Sequence, residues 1–284
     1  MTLARPRATR RSVLGAAGAA LLAACSSPPP EPASSAPKPV RHHYGTGRDQ
    51  FGDLYLPDGE PGRGTVVVVH GGFWQSGFGL DLGAAISADL ADRGWAAWNI
   101  EYRRLGDGGG WPTTYADVAA AVDHVDRLDV DPARVVTLGH SAGGHLAAWA
   151  ASRRGTGLPG GRPRVRVTAT VPQAGVLDLR TAADTGLGGT AVPGIVGGLP
   201  GRVPGRYRLA DPIERLPLGL PIRCVHGTDD STVPISQSRA YVAAARAAGD
   251  DAALVEVPGD HFSLIDPRTP AWKRTVEVLA GLSR

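Results

Sequence analysis

The sequence predicts an α/β protein in which a mostly parallel central sheet carries helices on both faces. Apolar strand patterns alternate with helical patterns from about residue 50 onward, as a parallel sheet with crossover helices requires. The run Thr65–Val69 is continuously β-branched or apolar, which is typical of a strand buried on both faces. The 284 residues, 42% of them hydrophobic and 20% charged, suffice for one such domain.

Each element is recognised by the spacing of its apolar residues. Continuous apolar runs predict strands at 65–69, 95–100, 134–138, 165–171, 221–225 and 253–257. Recurrence at three and four residues predicts helices at 81–93, 115–128, 142–152, 236–248 and 271–282. We expect 50–56 to add an antiparallel strand at one edge. Pro112 and a capping threonine, Thr113 or Thr114, mark the start of the second helix.

Residues 178–216 interrupt the alternation of strands and helices. They are rich in Gly and Pro and have no long apolar periodicity. A connection of this length inside a compact domain is usually functional, such as a lid over a site. We therefore expect a small cap or lid here, within a domain that comprises residues 40–284.

Residues 1–24 have the pattern of an export signal. Arg10 and Arg11 form a twin-arginine pair, and the apolar run 13–24 is shorter than the roughly 20 residues of a permanent membrane helix. The run leads into Leu-Ala-Ala-Cys, ending at Cys25, which resembles the lipobox of bacterial lipoproteins. We expect cleavage before Cys25 and lipidation of its thiol. The alternative is a plain cleaved signal with an incidental cysteine.

Residues 25–39 would combine the lipidated cysteine with a proline-rich linker that is extended and semi-rigid. The protein is then expected to be exported and anchored by lipid to the outer face of the cell membrane. The leader holds four arginines and no acid, so its removal changes the formal charge from +3 to −1 and leaves no basic stripe for nucleic acid. Cys224, the second of two cysteines, is expected in a buried strand without a disulfide.

Gly139-His140-Ser141-Ala142-Gly143 matches G-x-S-x-G in the setting that a nucleophile elbow requires. A predicted strand precedes the motif and a predicted helix follows it. The turn strains the serine backbone, exposes the hydroxyl above the sheet and demands small residues two positions away on either side. The helix dipole favours negative charge at the same place. Ser141 is therefore the predicted nucleophile.

A loop with the sequence His70-Gly71-Gly72-Phe73 follows directly from the β-branched strand. In esterase- and lipase-like hydrolases a glycine-rich loop here presents backbone N–H groups to an oxyanion. We expect donors at Gly72, Phe73 and Ala142, while the alternative is a simple glycine turn. Phe73 replaces the third glycine of H-G-G-G, so its side chain must point away or narrow the acyl pocket.

The base and the acid are sought downstream of the serine, because hydrolases with this elbow order their triad as serine, acid, histidine. Among eight histidines only His226 and His261 follow Ser141 at a distance. His261 lies after the last predicted strand, at the carboxyl end of the sheet, where such sites occur. We take His261 as the base, with Asp229 and Asp230 as candidate acids that would orient its imidazole.

Together, the elbow, the H-G-G loop and the H-G-x-x-D…H tail resemble the kynurenine formamidase and carboxylesterase branch of the α/β-hydrolase superfamily, over roughly residues 50–280. Three shorter stretches add to the likeness, at 53–57, 101–105 and 205–208. The resemblance implies an α/β-hydrolase fold. In related hydrolases with H-G-x-x-D-x-x-V-P the acid falls on Asp230, which leaves Asp229 as a loop-capping carboxylate. Secreted enzymes that remove acyl or feruloyl groups from polysaccharides are similar too.

The predicted chemistry is two-step acyl transfer from a small-molecule or glycan-linked ester through an acyl-enzyme on Ser141. This chemistry needs no metal and no organic cofactor. One alternative is an amide-bond hydrolase, either a formamidase or a peptidase, although an export signal argues against a formamidase of tryptophan breakdown. Another is a non-catalytic binding lipoprotein, against which the intact serine, acid and base argue. The sequence contains no pattern that fixes the oligomeric state.

Overall fold

The computed structural model describes residues 38–59, 61–155, 157 and 160–282, which lie within one compact unit, 36–284. Eight strands in these ranges form one sheet, in the order β1-β2-β4-β3-β5-β6-β7-β8. The pairs β1–β2 and β2–β4 are antiparallel, and all others are parallel. The strands are β1 Val40–His43, β2 Phe51–Tyr55, β3 Thr65–Val69, β4 Ala96–Ile100, β5 Val135–His140, β6 Val167–Gln173, β7 Ile222–Gly227 and β8 Ala252–Val257.

Helices cover both faces of this sheet, as the sequence predicts. The α-helices are α1 Asp81–Asp92, α2 Thr113–Asp123, α3 Ala142–Ser152, α4 Leu179–Asp184, α5 Ala191–Val196, α6 Pro204–Ala210, α7 Ser236–Ala247 and α8 Pro270–Leu282. Residues of α1 and α8 pack in one apolar cluster, and those of α2, α3 and α7 pack in two others. All three clusters lie within the unit 36–284, so this unit has its own core.

The β-branched composition of β3 is explained by its burial on both faces. Val67 and Val69 join the cluster of α2 and α3, whereas Val66 and Val68 join that of α1 and α8. Successive side chains of a strand point to opposite faces, so a strand covered on both sides needs apolar residues throughout. Cys224 is likewise buried in β7, as predicted.

Three local predictions are wrong. The antiparallel strand β2 is not at the edge of the sheet, because β1 pairs with its outer side. Helix α2 ends at Asp123 and continues as a 3₁₀ turn, His124–Arg127, instead of remaining α-helical to 128. Neither threonine caps α2, because its N-cap is Pro112 and the Thr114 hydroxyl donates to the carbonyl of Arg103.

The connection 178–216, which we call the cap segment, contains three short α-helices, α4, α5 and α6, and a 3₁₀ turn, Pro212–Arg215, between β6 and β7. These helices are too short to produce a long apolar periodicity, so the sequence pattern does not predict them. Even so, α5 buries four of its six residues. Within the described part of the chain, we find no helix with the length and apolar character needed to cross a bilayer. The predicted leader, Cys25 and most of the linker lie outside that part.

Candidate active site

Ser141 occupies a tight turn between β5 and α3, with φ of 58° and ψ of −120°. A positive φ is strained for a residue with a side chain and is often found at functional sites. A β-carbon at Gly139 would overlap the backbone of Gly143, and one at Gly143 would overlap the carbonyl of Val69. Gly139 is therefore required by the turn itself, as predicted, whereas Gly143 is required by the close approach of the backbone at the end of β3. Ser141 is only 2% exposed, so it is more enclosed than the motif alone predicts.

His261 lies beside Asp230 and not beside Asp229. The Nδ1 atom of His261 is 2.7 Å from Oδ2 of Asp230, whose side chain is fully buried. Asp229 is exposed and its carboxylate faces the backbone N–H of Gly259 at 3.4 Å. A buried carboxylate at this distance fixes the orientation and tautomer of an imidazole.

The Asp230 carboxylate is held in place by several donors. Its Oδ1 accepts the backbone N–H groups of Thr232 and Val233, at 2.8 and 2.9 Å. His226 Nε2 lies 3.4 Å from Oδ2. Burial, the largest influence, raises the pKa of Asp230, but hydrogen bonds from His226, His261 and Val233 outweigh it and lower the pKa. Asp230 is therefore ionised at neutral pH.

The sequence did not indicate that His226 contacts the Asp230 carboxylate, because His226 was considered only as an alternative base. Its Nδ1 atom lies 2.8 Å from the Ser238 hydroxyl, and its Nε2–H donates to the Val233 carbonyl. Its position four residues before Asp230 was the available signal. The described residues contain no group of three His, Cys, Asp or Glu side chains arranged to hold a metal.

The loop of His261 is joined to the elbow through His140. His140 Nε2–H donates to the backbone carbonyl of His261 at 2.8 Å, and the two rings lie 4.4 Å apart. Burial, helped by the nearby His261, lowers the pKa of His140 to about 3, so its ring is neutral. The residue before Ser141 thus holds the backbone of His261 against the nucleophile turn.

The loop after β3 passes close to the nucleophile. A β-carbon at Gly71 would lie 3.1 Å from Cβ of Ser141. Gly72 and Phe73 both have positive φ, 103° and 49°, and across the described ranges no hydrogen bond engages their backbone N–H groups. Ala142 is buried as the first residue of α3. The three predicted oxyanion donors therefore belong to the two turns that meet at Ser141.

The side chain of Phe73 is turned toward the cap segment. A β-carbon at Gly188 would lie 2.6 Å from the phenyl ring, so the ring rests on a glycine of the cap. The backbone N–H is unaffected by this placement. The side chain of Phe73, which stands where H-G-G-G has its third glycine, thus fills the space between the loop and the cap segment.

A buried ionic cluster supports the same loop. His70 Nε2 donates to Glu101 Oε1 at 3.0 Å, and its Nδ1 lies 2.8 Å from the Gly71 carbonyl. Glu101 also lies 3.1 Å from Arg104 and accepts the backbone N–H of Tyr102. Burial raises the pKa of Glu101, but His70 and the other donors outweigh it and lower the pKa. His70 thus holds the loop to Glu101 through a hydrogen bond that no sequence motif indicated.

Two phenyl rings are exposed beside the site. Phe262 is 59% exposed, and its ring stands edge-on to that of His261 at 5.4 Å. Phe78 is 46% exposed and its side chain lies against Gly72, where a β-carbon would overlap it. Exposed large apolar side chains at a site commonly contact a ligand. No sequence motif indicated either residue.

The cap segment is tied to the nucleophile helix. In α3, His145 donates to the carbonyl of Ala210 at 3.0 Å and Trp149 to that of Leu209 at 2.9 Å. The next residue, Asp211, is buried and accepts the backbone N–H of Leu179 at 2.9 Å. Burial raises the pKa of Asp211 to about 7. The two ends of the cap therefore meet at one buried carboxyl group.

Comparison with known proteins assigns this arrangement to a family. Residues 52–244 match the model of the BD-FAE family. Two curated relatives from Mycobacterium tuberculosis are esterase LipC, 28% identical, and esterase LipQ, 30% identical. The matches cover 71% and 76% of this chain but 53% and 55% of the relatives. The chain thus spans about half the length of the curated relatives it matches.

The fold is also found among solved structures. A truncated carbohydrate esterase from gut microbiota superimposes with a TM-score of 0.72 at 23% identity, covering 88% of this chain and 98% of the other. Est2, an esterase from Thermogutta terrifontis, superimposes with a TM-score of 0.66 at 25% identity, over 86% of this chain and 91% of the other. The sheet and its helices therefore form an α/β-hydrolase fold.

Proposed function

The chain belongs to the BD-FAE family of α/β-hydrolase esterases, and on that premise we propose that it cleaves carboxylic esters with Ser141 as nucleophile, His261 as base and Asp230 as acid. The observation that carries the proposal is the 2.7 Å contact between His261 and the buried Asp230. The hydrogen bond from His140 holds the same histidine against the serine turn.

In the proposed mechanism, Ser141 attacks the ester carbonyl while His261 Nε2 takes the hydroxyl proton. The negative charge that develops on the carbonyl oxygen is bound by the backbone N–H groups of Gly72, Phe73 and Ala142, each worth about 10²–10³ in turnover. His261 then protonates the leaving alcohol, and an acyl-enzyme remains. Water, activated by the same imidazole, attacks the acyl group and frees the serine. Asp230 stabilises the imidazolium in both steps.

The proposed substrates are small-molecule or glycan-linked esters, on the carboxylesterase side of the branch that the sequence resembles. Two relatives are named esterases, and one similar structure is a carbohydrate esterase. The Phe73 ring resting on the cap favours a short acyl group, because little space remains between the loop and Gly188.

The test is hydrolysis of p-nitrophenyl esters by the full chain and by Ser141→Ala. We expect turnover that the substitution reduces to background, and fluorophosphonate labelling that it abolishes. A folded chain that neither hydrolyses esters nor takes the label would support the binding-module alternative. Faster cleavage of N-formyl anilides than of esters would support the amide hydrolase instead.

We also propose that the chain is exported and anchored to the outer face of the membrane through a lipid on Cys25. The twin-arginine pair, the lipobox-like Leu-Ala-Ala-Cys and the proline-rich linker support this reading. The test is fractionation of cells that express the full chain or Cys25→Ser. We expect the first to stay with membranes through a high-salt wash and to partition into detergent, and the second to be released by that wash; retention of Cys25→Ser through the wash would contradict the anchor.

A further inference from the structure

A broad depression lies at the end of the parallel strands remote from the site. It has a volume of about 880 Å³ and is formed by the end of α3, the chain leading into β6 and the chain before β7. Five arginines line it, Arg153, Arg154, Arg162, Arg164 and Arg166, and no acidic residue among the described ones does. We call it the basic depression. Its charge contrasts with a formal charge of −1 for the chain without its leader.

Two of the five arginines have acidic partners. Arg153 is buried and pairs with Asp123 at 2.6 Å, yet its Nε atom is buried without a hydrogen-bond partner. Arg164 pairs at the surface with Asp126 at 2.9 Å. Arg153 is therefore a fixed guanidinium whose charge is already paired, and the binding of an external anion falls to the remaining arginines.

The other three arginines are free to meet an external anion. Arg154, Arg162 and Arg166 are exposed, and in the part of the chain that the structure describes none forms an ion pair. Three like charges around one concavity repel each other, and an arriving phosphate relieves the repulsion. Guanidinium groups bind phosphate oxygens with two parallel hydrogen bonds, which makes phosphate the anion that best fits the arginines.

The depression and the proposed site lie at opposite ends of the parallel strands. Arg166 immediately precedes β6, so the depression is at the amino ends, whereas Ser141 and His261 follow β5 and β8 at the carboxyl ends. β1 is antiparallel to β2, which is antiparallel to β4, so β1 runs in the same direction as the parallel strands. The chain therefore enters the sheet from the side that holds the depression.

We propose that the basic depression docks on anionic phospholipid headgroups of the membrane that the lipid on Cys25 would enter. This inference extends the anchoring proposed above and does not depend on the hydrolase chemistry. β1 and β6 are five strand spacings apart in the sheet, about 24 Å at the usual separation. The linker 26–39 can extend about 43 Å in a polyproline-like conformation. A lipid on Cys25 and the basic depression can thus reach the same membrane surface at the same time.

Docking in this way would fix the orientation of the domain. The amino ends of the parallel strands would face the bilayer. The carboxyl ends, where Ser141 lies, would face outward, toward substrates that are not membrane lipids. Each arginine near an anionic bilayer contributes about 1 kcal/mol, which corresponds to about 10²-fold in affinity for three. Such binding weakens as salt rises.

The experiment is vesicle co-sedimentation of the unit 36–284, which carries its own core and lacks the leader and Cys25. Vesicles of phosphatidylcholine alone are compared with vesicles that also contain phosphatidylglycerol. We expect binding to the anionic vesicles only, and its loss at high salt. Substituting Arg154, Arg162 and Arg166 together with Gln should weaken binding about 10²-fold. Ser141→Ala should bind normally, which separates this result from a failure of the hydrolase proposal.

The control removes the same formal charge from three exposed arginines that do not line the depression, Arg202, Arg208 and Arg268, each replaced by Gln. We expect this control to retain vesicle binding, with both triple variants melting within a few degrees of the parent. Equal losses in the two variants would overturn the docking site. Binding of inorganic phosphate or of an acidic polysaccharide to the depression, without any gain on anionic vesicles, would overturn the membrane as its partner.

Discussion

His140 Nε2–H donates to the backbone carbonyl of His261 across 2.8 Å, a hydrogen bond that spans 121 residues of sequence. It connects the residue before the nucleophile to the backbone of the proposed base. The low pKa of His140, about 3 and due first to burial, keeps the ring neutral over the working range of pH. We therefore regard His140 as a positioning residue.

Replacing His140 with Leu should loosen the base without removing it. Displacement of a reacting group by about 1 Å costs about 10²-fold in rate, so we expect kcat to fall about 10–100-fold while KM changes little. His140→Gln can still donate and should recover part of the loss. Steady-state kinetics on a p-nitrophenyl ester measure both. A well-folded Leu variant with unchanged kcat would show that the contact has no positioning role.

The two neighbouring aspartates provide a matched pair for the acid. Asp230→Asn removes the carboxylate that faces His261 and should lower kcat about 10³–10⁴-fold, because the imidazole loses its orientation and its counter-charge. Asp229 is exposed, so Asp229→Asn should remain within a few-fold of the parent. Kinetics of both variants decide the matter, and a reversed order of effects would make Asp229 the acid.

The exposed Phe262 ring should bind the leaving-group side of the substrate, because it stands beside the imidazole that protonates the alcohol. For esters of apolar alcohols we expect Phe262→Ala to raise KM about 10-fold, since partial burial of a phenyl ring is worth about 1–2 kcal/mol. Methyl esters should be affected less. Val40→Ala, which trims an exposed apolar residue on β1, is the control. Equal KM changes for both alcohol classes would argue against this contact.

Asp211 should make stability depend on pH. Burial raises its pKa from 3.8 to about 7, so the folded state binds this proton more tightly than the unfolded chain. The protonated group costs little below 3.8, and the folded state loses stability as pH rises from there to about 7. The change is at most about 1.4 kcal/mol per pH unit.

Asp211→Asn cannot ionise, so it should remove this dependence. It also replaces with an amide NH₂ one of the two oxygens that accept the N–H groups of Leu179 and Arg180, which gives an offset that is the same at every pH. Urea unfolding from about pH 5 to about pH 8 should show the parent losing stability relative to Asp211→Asn up to about pH 7, and a constant difference above it. A difference that is constant over the whole range would mean that Asp211 is already ionised at the lower end.

Local pattern was enough for most of the sheet. β3 is recognisable because burial on both faces requires every residue to be apolar or β-branched, and α3 because it follows the elbow directly. The position of β2 could not be derived in this way. An antiparallel strand lies at the edge of a sheet only if no other strand pairs with its free side. Here β1, Val40–His43, pairs with β2, but its four residues, two of them His, show too little periodicity to be predicted as a strand.

The residues of the proposed site also fall into two groups, those that a sequence motif identifies and those that it does not. Ser141, Gly72 and His261 stand in short motifs whose chemistry is readable, because a tight turn or a loop approaching an oxyanion restricts the residue types that fit. His226, Glu101 and Phe262 stand in no such motif. Their contacts with Asp230, His70 and His261 join distant parts of the chain, and residue type alone does not specify a partner.

By itself, the sequence determined the α/β fold class, the strand–turn–helix around Ser141 and the order of the candidate serine, acid and base, because these follow from interactions between residues close in the chain. Tertiary structure alone decided that His226 faces the Asp230 carboxylate, that His140 holds the histidine loop, and that five arginines share one concavity opposite the site. Those relationships depend on how the packed sheet brings distant loops together, and hydrogen bonds and charges act over a few ångströms of space, whatever their separation along the chain.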